Sequence, residues 1–181
     1  AHLGELAHHY EQARAVVAVS EHNFAVLRDS FRLPPGKGQV IHYGRPPEFF
    51  APADPDARRR LRAEWGASDD DLVCLCAARL DVVKAHHVQL EALRRVRGDP
   101  ARDRLRLVWA GDGPLRDSLA TAARDMGVAD RLTLLGRRDD IPDCLGAADA
   151  FVLTSLAEGM PLAIMEAMAR GLPVAAADVG G

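Results

Sequence analysis

From Leu72 onward the chain alternates between short, wholly apolar runs and longer stretches of helical periodicity, and this narrows the available folds sharply. Leu72 to Ala78 reads as a buried strand and Lys84 to Val96 as an amphipathic helix. Leu105 to Ala110 is the next strand, followed by Gly111-Asp112-Gly113-Pro114 and a helix reaching about Met126, with Pro114 at its first position. Leu132 to Leu135, Ala150 to Thr154 and Pro173 to Ala177 supply three further strands, the last read as buried. Ile141 to Ala148 is a short helix. A second helix has Pro161 in its first turn and is stopped by Gly171 and Pro173. Strands that are apolar throughout, rather than at alternate positions, belong to parallel sheets covered by helices on both faces. Repeated strand–helix units therefore predict an α/β fold with a doubly wound parallel sheet.

The earlier part reads differently. Ala15 to Val19 fits a strand, Glu21 to Phe31 a helix, and Val40 to Ile41 a short strand ending at Tyr43-Gly44. Arg45 to Pro52 is a proline-dense connector, and Asp54 to Trp65 a basic helix with Asp54 or Pro55 at its start. The expectation is the tail of one α/β domain over residues 1–48 and most of a second over residues 49–181. An end at Asp178-Val179-Gly180-Gly181, just past a strand, predicts a chain truncated at both ends.

A net charge of −3 argues against a nucleic-acid surface. No apolar run approaches the ~20 residues of a membrane span, and a cytoplasmic location is expected. Cys74 and Cys76 share one face of a strand and read as buried reduced thiols, while Cys144 is isolated. The pairs His8-His9 and His86-His87 chelate poorly, because adjacent helical residues diverge. Asp69-Asp70-Asp71 reads as a solvated turn, and no metal is expected.

In an open α/β sheet, ligands bind beyond the carboxyl ends of the strands. Arg79 and Lys84 follow the Leu72–Ala78 run, Gly111 to Gly113 the second, Gly136-Arg137-Arg138 the third, and Ser155 to Glu158 the fourth. All four placements fall on one rim. Arg79 and Lys84 could grip a diphosphate, or be two solvated cations. Gly136 could let a flat base approach the backbone, or merely end a strand. Glu158 and Glu166 flank the start of a nearly all-apolar helix that reads as packed inside the protein, where an ionised group needs a partner. Glu166 could pair with Arg170 four residues on, and Glu158 could be an exposed loop carboxylate. Alternatively, the two carboxylates receive sugar and ribose hydroxyls, while the segment Gly159-Met160-Pro161-Leu162 presents free backbone N–H groups at a helix start as an anion cradle. The first strand leads to Ala77-Ala78-Arg79-Leu80 with no G-x-G-x-x-G, which disfavours a dinucleotide dehydrogenase.

Taken together, these residues resemble the group 1, E-x7-E type of retaining GT-B glycosyltransferases, similar to family 4. Glu158 and Glu166 match E-x7-E, Arg79-Leu80 with Lys84 matches its Arg-Leu and Lys-Gly, and Gly111 to Pro114 matches Gly-Asp-Gly-Pro. The resemblance implies the Rossmann-like C-terminal half of a GT-B fold, preceded over residues 1–48 by the end of the N-terminal acceptor domain. It implies transfer of a sugar from a UDP- or GDP-linked donor, with retained anomeric configuration, no cofactor and no required metal. Arg79 and Lys84 would neutralise the leaving diphosphate. Glu158 would bind the donor sugar and Glu166 the ribose. Gly159, Met160, Pro161 and Leu162 would hold the distal phosphate, and the base would lie against Gly136, Arg137 and Arg138. The acceptor would be a glycan, a lipid or a small molecule, with room for peripheral membrane association through the missing part of the N-terminal domain. Ala85 departs from the glycine usual after the lysine, and Tyr43-Gly44-Arg45 from an Asn-Gly followed by an aliphatic residue. The alternative expectation is a non-catalytic nucleotide-sugar-binding module or a fragment of a GT-B-like sugar epimerase.

Overall fold

A computed structural model describes residues 8–99 and 103–180, which divide into two compact units. The first comprises residues 8–44, Ala157–Leu162 and residues 178–180; the second comprises Arg45–Leu156 and Ala163–Ala177.

In the first unit, strands β1 (Val16–Ala18) and β2 (Gly38–Val40) pair in parallel, with Val16 opposite Gly38 and Ala18 opposite Val40. Between them runs helix α1 (Glu21–Ser30), which begins where the Ser20 Oγ accepts the Asn23 N–H at 3.1 Å. That bond satisfies one of the orphan donors of a first turn. The second strand forms earlier than the Val40–Ile41 reading placed it.

The second unit opens with a 3-10 turn (Pro47–Phe50) and helix α2 (Pro55–Glu64), whose cap is Asp54, its Oδ1 accepting the Asp56 N–H at 2.9 Å. Then follow β3 (Leu72–Ala77), α3 (His86–Val96), β4 (Leu105–Ala110), α4 (Arg116–Asp125), β5 (Leu132–Gly136), α5 (Ile141–Ala147), β6 (Ala150–Leu153), α6 (Leu162–Ala169) and β7 (Val174–Ala176). The five strands form one wholly parallel sheet in the order β5-β4-β3-β6-β7. The chain steps outward from β3 through β4 to β5, then returns to the far side of β3. Right-handed crossovers in opposite directions put α3 and α4 on one face and α5 and α6 on the other. The contacts of α3 with α4, and of α2 with α5, agree with this.

Leu75, Cys76, Val108, Trp109 and Phe151 on the central strands are fully buried, as are Leu90 and Leu145 on helices of opposite faces. Burial raises the thiol pKa of Cys74 to about 11 and of Cys144 to about 12, so both remain protonated packing groups at neutral pH. Two expectations about burial are corrected. In β7 Ala175 and Ala176 are exposed, because β7 is the sheet's edge strand. Helix α6 is only half-buried: Ala167 alone is fully covered and Met168 is exposed.

An ionic cluster ties the helical layer to the sheet. Asp149, just ahead of β6, accepts from the Arg58 guanidinium (2.5 Å), the Arg62 guanidinium (2.9 Å) and the Val73 N–H (2.8 Å). Arg62, almost wholly buried, also donates to the carbonyls of Ser68 (2.6 Å) and Asp71 (2.8 Å). Burial pushes the Asp149 pKa up, but the bonds from Val73, Arg58 and Arg62 outweigh it and leave the carboxyl below its usual range.

Candidate functional site

Because all strands of the second unit run parallel, the segments leaving β3, β4, β5 and β6 emerge on one edge of the sheet. The segment after β3 carries Arg79 and Lys84. Arg79 extends into solvent, with its Nε 3.9 Å from Asp81 Oδ2. Asp81 Oδ1 accepts the Lys84 N–H at 3.2 Å, closing a tight turn before α3. The helix begins at His86 and not at Lys84, because Ala85 is held in the left-handed region at φ 48° and ψ 42°. An alanine there costs about 1–2 kcal/mol relative to the right-handed well. A glycine at this position, the residue from which the sequence departs, would carry no such cost.

What holds Ala85 is a chain of hydrogen bonds reaching into the core. Trp109 Nε1 donates to Gln89 Oε1 (2.8 Å), and Gln89 Nε2 donates to Thr154 Oγ1 (3.1 Å). The Thr154 hydroxyl in turn donates toward the carbonyls of Lys84 (3.2 Å) and Ala85 (3.1 Å). A second tie, from the Leu156 N–H to the Val83 carbonyl at 2.7 Å, fastens the same turn to the end of β6. His86 lies under it, edge-on to Trp109 with ring centroids 4.6 Å apart. Burial lowers the His86 pKa to about 4, against an opposing pull from Asp81, so the imidazole is neutral at physiological pH. The cationic character of this turn thus comes from Arg79 and Lys84.

The Gly111-Asp112-Gly113-Pro114 turn has a packing reason for its glycines. A Cβ at Gly111 would fall on the Ala78 carbonyl, and one at Gly113 on the Leu80 main chain. Bonds from Leu80 N–H to Asp112 O (3.0 Å) and Leu115 N–H to Leu80 O (3.0 Å) lock the two loops together. Helix α4 starts only at Arg116, so Pro114 precedes it rather than opening it. Gly136, at φ 70°, gives its carbonyl to the Gly111 N–H at 2.7 Å. Arg116 lies against it, Nη1 standing 3.4 Å from where a Cβ on Gly136 would be. Arg116 was not singled out from sequence. The available signal was a cation in the first turn of a helix, against the macrodipole. The Arg138 guanidinium is engaged with Asp140 (2.7 and 2.6 Å) and with Glu64 (2.8 Å). Arg137 lies between these two positions on the same segment.

Glu166 does not pair with Arg170. The Arg170 guanidinium donates to the carbonyls of Pro142 (3.0 and 2.7 Å) and Ala51. Glu166 Oε1 instead lies 3.3 Å from the Nε of Arg45, in the proline-dense connector. Burial raises the Glu166 pKa, and Arg45 pulls it back. Glu158 to Leu162 belong to the first unit. There the Glu158 carbonyl sits against Gly180, at φ 78°, and Gly159 against the Asn23 side-chain amide. Among the described residues, no cluster of three or more His, Cys, Asp or Glu is placed to hold a metal ion, and no helix is long and apolar enough to cross a membrane.

A parallel sheet of this order is that of a Rossmann-like domain, and it matches the Rossmann-like domains of GT-B glycosyltransferases. The family described as Glycosyl transferases group 1 matches residues 71–181, and the chain belongs to that family. The D-inositol 3-phosphate glycosyltransferase of Stackebrandtia nassauensis is 36% identical over 181 residues, covering 94% of this chain and 40% of that protein. The crystal structure of Anabaena HepE in complex with UDP and glucose is similar with a TM-score of 0.88 at 25% identity, covering 99% of this chain and 48% of that one. Sucrose-phosphate synthase of Thermosynechococcus elongatus gives a TM-score of 0.83 at 26% identity, over 99% of this chain and 44% of that one. The chain spans less than half the length of these relatives.

Proposed function

We propose that this chain carries the nucleotide-sugar donor site of a retaining, cytoplasmic glycosyltransferase of the E-x7-E type. The observation that carries the reading is the turn bearing Arg79 and Lys84, held by Thr154 and Leu156 at the carboxyl edge of the sheet. Two cations carried on a turn whose main chain is held suit a diphosphate that gains negative charge as its bond to the sugar breaks, and no metal is then needed. In this reading Glu158 accepts hydroxyls of the donor sugar, and Glu166 those of the ribose. The main-chain N–H groups of Gly159, Met160 and Leu162 receive the distal phosphate, with Pro161 fixing the turn. The base lies along Gly136, Arg137 and Arg138, where the lack of a Cβ at Gly136 opens the backbone. UDP or GDP is the favoured carrier, in keeping with the UDP bound by Anabaena HepE. The acceptor, whether glycan, lipid or small molecule, belongs to the N-terminal half of the longer relatives, as would any peripheral membrane contact.

Calorimetry with UDP, GDP and ADP, and then with their sugars, tests the phosphate assignment. Replacing both Arg79 and Lys84 by alanine is expected to weaken nucleotide binding by about 3 kcal/mol or more, two charge-assisted contacts being lost. Unchanged binding, or no binding of any nucleotide to the wild-type chain, would refute the site.

A further inference from the structure

We propose that Arg45 is a positioning residue for the donor's ribose: it fixes the Glu166 carboxylate in place while leaving its oxygens open to hydroxyl donors. This deepens the reading of Glu166 given above and rests on it.

The contact is unusual in kind. Arg45 Nε is 3.3 Å from Glu166 Oε1, with side chains 18% and 14% exposed, yet this buried Nε makes no hydrogen bond. Charge joins the pair without a directed bond. Among the described residues no hydrogen bond ends on the Glu166 carboxylate. An ionised carboxylate offers about four acceptor positions, and a ribose presents two adjacent hydroxyls that need acceptors. A bidentate Arg fork would occupy the positions a diol requires, whereas this geometry leaves them open.

The arginine is itself fixed. Its guanidinium carbon stands 5.5 Å from the ring centroid of Phe49, a buried residue of the 3-10 turn that follows. A cation–π contact of this kind holds a guanidinium over a ring face without using its N–H groups. The other candidate cation, Arg170 on the carboxylate's own helix, is turned toward the Pro142 and Ala51 carbonyls. Arg45 is the one charged group acting on Glu166 among the described residues. Without it, burial alone would favour the protonated acid, which offers fewer acceptors and donates a proton the diol does not need.

The experiment compares UDP with its 2′,3′-dideoxy analogue by calorimetry on the wild-type chain, Arg45→Met, Arg45→Lys and Glu166→Gln, between about pH 5 and pH 8. The wild type should prefer UDP by about tenfold at the alkaline end, as expected when buried acceptors meet a ligand lacking its hydroxyls, and should begin to lose that preference only toward the acid end. Arg45→Met should keep most of the preference at the alkaline end but lose it at higher pH than the wild type does, with about fivefold or more gone where the wild type still discriminates, as Glu166 takes up a proton. Arg45→Lys should restore the wild-type profile, and Glu166→Gln should show a weak preference at every pH. If Arg45→Met lowers the melting temperature but keeps the wild-type profile, Arg45 only anchors the connector and the proposal is overturned. If the wild type binds UDP and the analogue equally, the ribose assignment of Glu166 is itself wrong, and Arg45 falls with it.

Discussion

Thr154→Val removes one hydroxyl and almost no volume, at the point where the core reaches the Lys84 turn. In the structure that hydroxyl donates toward the Lys84 and Ala85 carbonyls and accepts from Gln89 Nε2. Gln89 is 2% exposed, so its amide N–H is left without an acceptor. An unmet buried donor of this type costs about 1–3 kcal/mol. The turn can recover part of this. If Ala85 relaxes partway out of the left-handed region once its carbonyl is released, about 1 kcal/mol of strain returns. The expected loss in the wild-type background is therefore about 1 kcal/mol by urea denaturation. Ala85→Gly alone should be near neutral. Its strain relief is opposed by loss of a buried methyl worth about 0.8 kcal/mol and by a more flexible unfolded chain, worth about 0.4–1 kcal/mol. In the Ala85→Gly background no strain remains to recover, so Thr154→Val should cost about 1 kcal/mol more than in the wild type. UDP affinity should fall with Thr154→Val in parallel, because Lys84 loses its fixed main chain while the Leu156–Val83 bond still limits its travel. A cost below about 0.5 kcal/mol, or effects that add within about 0.3 kcal/mol, would mean that the hydroxyl does not hold the turn.

Asp149→Ala should destabilise the protein by about 3–5 kcal/mol, since it leaves the Arg62 charge buried and uncompensated. Because the folded-state carboxyl titrates below its unfolded value of about 3.9, its contribution is full above that pH and lost as pH falls through the folded value. Acid unfolding followed by circular dichroism should thus show a shallower acid limb in the variant, and an unchanged limb would refute the assignment. Gly113→Ala should disturb the Leu80 main chain and weaken both stability and UDP binding. Gly127→Ala, at φ 68° with open space around its Cβ, should cost only about 1–2 kcal/mol and leave binding untouched.

The sheet was legible because its strands are apolar on both faces, and that pattern has few alternatives. Boundaries were less so. Lys84 and Ala85 satisfy helical periodicity, and nothing local to them announces that a threonine from β6 holds Ala85 out of the helix. The same blindness to distant partners explains Glu166. A glutamate four residues before an arginine on one helix predicts a local pair, yet Arg170 is drawn to carbonyls of Pro142 and Ala51 and the true partner is Arg45. Arg79 and Lys84 were legible as a pair because both follow one strand directly. Arg116 was not, since its place beside Gly136 depends on how two loops cross.

The order of strands also sets a schedule for synthesis. Strand β3 is central in space, but β6, its second neighbour, lies late in the chain: Val73 meets Asp149 across 76 residues. At a ribosomal rate of about 5–20 residues per second, that separation means several seconds. Until β6 is made, β3 has at most β4 on one side, once that strand has followed, and an unpaired edge on the other. Arg62 waits as well, its carboxylate not yet made. Asp149 arrives just ahead of β6, so a single stretch of chain brings both the missing strand and the missing charge. The nascent protein is therefore most exposed to mispairing at its centre, and chaperone engagement should fall away once β6 has left the ribosome.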